Sequence, residues 1–220
     1  MPFFKAGTKL VYFAHVPKCA GIAVNLYIQH HFGPIAFLDR LHFRQPEAER
    51  WTRSSPQHIP AETLARYIPI SLFDEVFSVV RHPVDRIVSA FMFQQERERS
   101  IPPETTFSDW LASVPEILLK DPFAFDNHVR PISDIVPEGA RVFRVEDGME
   151  AVETWLRSLT GDIPLNGSIA QENTRQQRLE KMGISHAPIR PDNDDRALIA
   201  DIYAEDFKRF GYLSDAETQY

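Results

Sequence analysis

Two segments of this chain hold residues whose types and spacing fit the binding of phosphate-like anions. Leu10-Val-Tyr-Phe-Ala-His-Val-Pro-Lys18-Cys-Ala-Gly21 is an apolar run that stops at a loop with one lysine and one glycine. About sixty residues on, Val76-Phe-Ser-Val-Val-Arg81-His-Pro83-Val-Asp-Arg86-Ile-Val-Ser89-Ala-Phe91 is an apolar run that stops at an arginine and restarts as a helix. Each reads as a strand, a cationic turn and a helix N-terminus. Free amides at a helix N-terminus, with a Lys or Arg beside them, make an anion site. Two such sites imply one ligand with two separated phosphate-like groups.

In the first loop, Pro17 fixes the chain as it leaves the strand. Lys18 supplies a mobile ammonium, and Gly21 permits close backbone approach. The amides of Lys18, Cys19, Ala20, Gly21, Ile22 and Ala23 could form a nest around an oxyanion. The nucleotide-kinase loop G-x-x-x-x-G-K-[ST] is absent, because no glycine precedes Lys18 at that spacing and no hydroxyl follows it to hold magnesium. A plain strand-turn-helix with a surface lysine is the competing reading. In the second segment, Arg81 ends a buried strand, where packing gives an arginine no reason to be. Its fork of donors suits a phosphate, with a salt bridge to a loop carboxylate as the alternative. Ser89 lies two helical turns beyond it. Arg86 follows Asp85 and reads as either surface or a structural pair.

The elements that must position these residues follow from periodicity. Apolar runs at 10–14 and 76–80 read as buried strands, and Arg141 to Val145 as a third strand. Helices are expected over 20–32, 62–68, 83–91, 107–118, 147–159 and 193–210. Residues 39–60, 96–104 and 161–192 read as loop or linker. Strands alternating with helices predict an α/β fold with a parallel sheet covered on both faces. Residues 1–220 show no domain boundary, so one domain is expected.

Composition narrows the function. The chain has 220 residues, is 43% hydrophobic and carries a formal charge of −7. It lacks the broad basic surface that nucleic acid requires, so no nucleic-acid partner is expected. Cys19 is the one cysteine, which excludes an internal disulfide. No apolar stretch reaches signal-peptide or transmembrane length. These features read as soluble and cytoplasmic. No histidine pair shows zinc-like spacing with the cysteine, so no metal is expected. Oligomeric state is not readable.

The same residues carry a resemblance. His-Val-Pro-Lys18-Cys-Ala-Gly21 resembles the 5′-phosphosulfate loop of the sulfotransferases. Arg81-His-Pro-Val-Asp-Arg-Ile-Val-Ser89-Ala-Phe resembles their 3′-phosphate motif over eleven positions. Asn127-His-Val-Arg-Pro131, Arg144-Val-Glu146-Asp147, Asn173-Thr-Arg and the tail from Ile202 to Tyr212 extend the likeness over most of the chain. Within the family, it is most similar to the carbohydrate branch that includes the heparan-sulfate 2-O type, in a small bacterial-type version. The resemblance implies a P-loop-like three-layer fold, a central parallel sheet flanked by helices. It also implies a donor, 3′-phosphoadenosine 5′-phosphosulfate (PAPS), and a carbohydrate or glycoconjugate hydroxyl as acceptor.

On that basis Lys18 and its loop would hold the phosphosulfate, and Arg81 with Ser89 the 3′-phosphate. Lys18 would also stabilise the departing phosphate oxygen. Arg175 would close over the donor. Of eight histidines, His58 occupies the place of the branch's catalytic base, with Gln57 where relatives carry glycine. Ile22 and Ala23 stand where the family loop has hydroxyls, and Ile132 stands where glutamine is usual and acceptor recognition is implied. Arg97, Arg99, Arg130, Arg175 and Arg178 are candidates for a local basic cleft. A non-catalytic PAPS-binding protein is the main alternative, and a nucleotide phosphotransferase the more distant one.

Overall fold

The computed structural model describes residues 2–161, 167–169 and 188–212. Four strands form one sheet in the order β1 (Phe3–Ala6), β2 (Lys9–Ala14), β3 (Glu75–Val80) and β4 (Arg141–Arg144). β2, β3 and β4 run parallel, with Phe13 opposite Phe77 and Phe77 opposite Arg141. The expected α/β fold is present. The sheet is mixed, however, because β1 adds an antiparallel edge that the sequence reading lacked. A two-residue turn, Gly7-Thr8, joins β1 to β2, and Gly7 takes φ +61, which a glycine adopts at no steric cost.

Alternation along the strands assigns the faces. Val11 and Phe13 of β2 and Phe77 and Val79 of β3 turn toward α1 (Gly21–Phe32) and α6 (Glu150–Ser158), meeting Val24, Ile28, Val152 and Leu156. Tyr12 and Ala14 turn the other way, onto Ile59, Phe73 and Leu64 of the short α2 (Ala61–Ala65). A third cluster is helical. It joins α3 (Pro83–Phe93), α4 (Phe107–Lys120), α5 (Ile132–Ile135), α7 (Asn193–Ile202) and α8 (Ala204–Phe210). In α3, Val84, Ile87 and Phe91 recur at helical spacing and face this core. No helix among the described residues is long and apolar enough to cross a membrane.

Three elements depart from expectation. Residues 96–104 were expected as a charged linker, but α3 runs on into a π-helical turn over Gln94–Glu98, closed by Arg99 at φ 54. The expected terminal helix is two helices broken at Tyr203, whose hydroxyl donates to the Val129 carbonyl at 2.7 Å. The helix expected from 147 begins at Glu150, since Gly148 sits at φ 85. Ile132, expected near the acceptor, is fully buried in the helical core.

Asp206 anchors that core. It is fully buried, and its two carboxylate oxygens accept from the Ile132 and Ser133 amides, both at 2.8 Å. Burial pushes its carboxyl up, opposed by the Arg86 charge and by those amides. Asp206→Ala would leave two amides at the start of α5 without acceptors. Unfolding in urea should show a loss of roughly 2–4 kcal/mol, with Asp206→Asn losing less because one acceptor remains.

Candidate functional site

Parallel pairing of β2 with β3 sends both strands out at the same edge of the sheet, where ligands of open α/β sheets bind. The loop after β2 leads into α1, and the loop after β3 leads into α3. Lys18 at φ 68 and Ala20 at φ 59 both take left-handed backbone, unfavourable for residues with a Cβ. Such strain, at about 1–3 kcal/mol per residue, clusters where function needs a fixed shape.

Cys19 lies buried between them, with its sulfur 3.6 Å from the Pro17 carbonyl. Burial pushes the thiol up to about 12, against the pull of Arg86 and Arg81, so it stays protonated and unreactive. Any contact of Cys19 with a ligand must therefore be through its amide. The first turn of α1 has no acidic residue and no side-chain cap. The amides of Gly21, Ile22 and Ala23 at the positive end of the helix dipole are thus left without a side-chain cap or a competing carboxylate.

The glycine of this loop has a further role. A Cβ on Gly21 would overlap the His15 ring. His15 is buried, stacks on Phe13 and has its Nδ1 at 3.3 Å from Asn25 Nδ2. Asn25 Nδ2 can only donate, so Nδ1 accepts and the proton of neutral His15 sits on Nε2.

The second segment works differently from the expectation of a bare helix N-terminus. His82 caps α3 through its own ring, Nδ1 accepting from the Val84 amide at 3.3 Å. The His82 amide donates to Glu146 at 2.7 Å, and Pro83 has no N–H. These contacts leave few free amides at this helix start, so an anion contact here would rest chiefly on side chains. Arg81 and Ser89 are both half-buried, and neither has a hydrogen-bond or ion-pair partner among the described residues. The Arg81 charge reaches the Cys19 thiol, so the two loops converge.

His58 stands at the end of a 3₁₀ turn, Pro56–His58, and is 9% exposed. Its Nδ1 lies 2.8 Å from Asp126 Oδ2, which also accepts from the Ser55 hydroxyl at 2.6 Å. Asp126 Oδ1 accepts from the Ser55 amide at 2.7 Å. An ionised carboxylate can only accept, so Nδ1 carries the proton and the Nε2 lone pair is presented. Asn127 Nδ2 holds the His58 carbonyl at 2.8 Å. The residues that grip His58 from side chain and backbone belong to a run of three left-handed residues, Phe125, Asp126 and Asn127. Burial alone would raise the Asp126 carboxyl. The His58 charge and hydrogen bond, with help from His128 and Ser55, instead hold it down to about 2.

A line of rings joins the two sides. Lys18 Nζ lies 4.1 Å from the centroid of Phe93, the last residue of α3. Phe93 stacks on His128 at 5.0 Å, and His128 meets His58 edge-on at 5.3 Å. His15 meets His58 edge-on at 5.0 Å. The π-helical turn directly after Phe93 alters the helix register there, as such turns do at functional sites. Burial, the neighbouring His58 and Lys18 push His128 down to about 3, although its Nδ1 donates to the Phe125 carbonyl. Burial and His58 also hold His15 well below its ordinary value. His58 is therefore flanked by two neutral rings.

Among the described residues, ligand atoms of His58, Asp126 and His128 lie within 4.8 Å of one another, as a metal site would need. The hydrogen bond between His58 and Asp126 already uses two of these groups. Arg130, a candidate for the basic cleft, is committed to Asp134 at 2.9 Å and to the Pro122 carbonyl. Arg97 and Arg99 are exposed, while Arg175 and Arg178 lie outside the described residues. Arg86 is not on the surface: it is 1% exposed and bonds to main-chain carbonyls.

Asp126 is a residue the sequence reading did not find. Asn127-His128 was noted for its likeness, but nothing local flags an aspartate whose partner lies 68 residues away. Phe93 and the role of Arg86 were missed for the same reason.

Together these features define an α/β protein with a mostly parallel sheet, whose strand-end loops carry Lys18 and Arg81 near a buried histidine–carboxylate pair. The chain belongs to a sulfotransferase family: the family model described as "Sulfotransferase family" matches residues 1–213. Comparisons with curated proteins and with solved structures gave no match.

The neutral histidines give the site a pH signature. Unfolded His15 and His128 take protons near pH 6.5, but folded His128 resists until about 3 and His15 is held well below its usual value. The unfolded chain therefore binds more protons in this window, and stability falls as pH drops below 6.5. Asp126, depressed when folded, contributes stability that is present above about pH 4. That stability is lost as pH falls through about 2. Denaturation at several pH values should show a shallower slope for His128→Phe between about pH 6.5 and 4. An unchanged slope would mean that His128 is protonated in the folded protein.

Proposed function

We propose that this protein moves a sulfuryl group from PAPS to a hydroxyl of a carbohydrate or glycoconjugate, with His58 as general base. The observation that carries this reading is the His58–Asp126 pair, joined through His128 and Phe93 to Lys18 on the donor-side loop. The acceptor oxygen forms a bond to sulfur while the bond from sulfur to the bridging phosphate oxygen breaks. The acceptor proton passes to His58 Nε2, and the Asp126 carboxylate stabilises the resulting imidazolium, as a buried carboxylate does for a catalytic histidine.

Charge in such an in-line transfer builds on the leaving and peripheral oxygens, so fixed positive groups do most of the work. Lys18 and the uncapped amides of α1 would receive the leaving phosphate oxygen. Arg81 and Ser89, half-buried donors without partners among the described residues, would take the 3′-phosphate. Pro17, Cys19, Ala20, Gly21, Ile22 and Ala23 would contribute main chain to the donor cradle. Arg175, outside the described residues, is proposed to cover it. Ile22 is 55% exposed at the first turn of α1, where the family's loop hydroxyl would stand, so donor binding there must come from amides.

Calorimetry with PAPS and with 3′-phosphoadenosine 5′-phosphate tests the donor. Wild type should bind both. Lys18→Ala and Arg81→Ala should each weaken binding by about 10–100-fold, the loss of one charge-assisted contact of roughly 1.5–3 kcal/mol. His58→Ala should bind normally and transfer no sulfate to any member of a glycan panel. Wild-type binding without transfer would instead favour a non-catalytic member of the family, and no binding at all would remove PAPS as the donor.

A further inference from the structure

Among the described residues, Arg86 is the bulkiest side chain to be fully enclosed, at 1% exposure. Burying a guanidinium carries a large desolvation cost, which proteins usually offset with a carboxylate. Arg86 belongs to none of the ion pairs among the described residues. The buried Asp206 feels its charge, but spends its oxygens on the amides of α5. The donors of Arg86 go to two main-chain carbonyls instead. Nε donates to Pro17 at 3.2 Å, and a terminal nitrogen donates to Asn127 at 3.4 Å.

Both carbonyls lie in strained loops. Pro17 immediately precedes left-handed Lys18, and Asn127 ends the left-handed run that contains Asp126. Pro17 and Asn127 are far apart in sequence; Pro17 adjoins the lysine of the first loop, and Asn127 adjoins Asp126, the partner of His58. The other contacts described above between these loops are ring contacts, the line Lys18, Phe93, His128 and His58 and the pair His15 and His58.

We propose that Arg86 is a positioning residue that ties the Lys18 loop to the Asp126–Asn127 loop and so sets the spacing between donor-side lysine and base. The proposal rests on the reading of Lys18 and His58 given above. Only an arginine suits the task. Its planar fork stays charged and aims donors in two directions, while a lysine presents one point charge. In-line transfer is sensitive to this spacing, since a displacement of about 1 Å can cost about 100-fold in rate.

The test uses the full chain with Arg86→Gln and Arg86→Lys. Hydrogen exchange followed by mass spectrometry needs no activity. In Arg86→Gln it should speed exchange in both 17–21 and 125–128 while β2 and β3 keep wild-type protection. Arg86→Lys should loosen one loop more than the other, and it carries the test if Arg86→Gln does not fold. Loosening of neither loop, or equal loosening of the whole sheet, overturns the tether.

Kinetics supply the second arm. Arg86→Gln should lower kcat by about 30–100-fold with KM for PAPS within about threefold. A residue that merely fills the core would lower the folded fraction and leave kcat of folded protein unchanged. If wild type transfers no sulfate yet both loops loosen together, the sulfotransfer reading fails and the tether stands.

Discussion

Parallel pairing of β2 with β3 is the constraint on which the rest of the structure depends. Two hydrogen-bonded parallel strands must end at the same edge, so the loops that follow them are neighbours however far apart they lie in sequence. That geometry brings Lys18 and Arg81 to one place. It also explains why neither loop needs a large basic surface. Where a few groups are fixed by the sheet, a chain with a formal charge of −7 can still present a local positive site.

The two helix starts that follow these strands differ in how their amides are used. The α1 N-terminus keeps its amides uncapped, with nothing acidic in its first turn to compete for them. The α3 N-terminus closes itself with the His82 ring, Pro83 and Glu146, leaving Arg81 and Ser89 to act through side chains. The same economy applies to the histidines. Burial keeps His15 and His128 neutral, so the anionic Asp126 directs its charge to His58. Two neutral rings and a carboxylate thus surround this imidazole, and the bond from Asp126 to Nδ1 leaves Nε2 as the nitrogen that can accept a proton.

The helical layer is not simply a cover. α3 leaves its strand at Arg81, buries Arg86 one turn on, presents Ser89 and ends at Phe93 beneath Lys18. One helix therefore touches both halves of the candidate site. Asp206 in α8, bonded to the start of α5, and Tyr203 at the break between α7 and α8 hold the chain downstream of Asn127, through the Ile132 amide and the Val129 carbonyl. The strained backbone of 125–127 is thus framed by fixed contacts on its C-terminal side.

The sequence by itself determined the strand-loop-helix units and the cationic residues of both loops. These properties are local: they follow from apolar period, from proline and glycine placement, and from residue type within about a dozen positions. It also marked His58 as the candidate base through its place in a family pattern. The edge strand β1 escaped it because four residues are too few for a period to register. Only the tertiary structure decided that Asp126 partners His58, that Arg86 is buried between two loops, that Ile132 is core, and that Gly21 is needed as much for the His15 ring as for any ligand. Each of these joins residues distant in the chain, or opposes a side chain to a ring from another element. A pairing of that kind has no local signature, because the chain must fold before the two groups share a hydrogen bond or a volume.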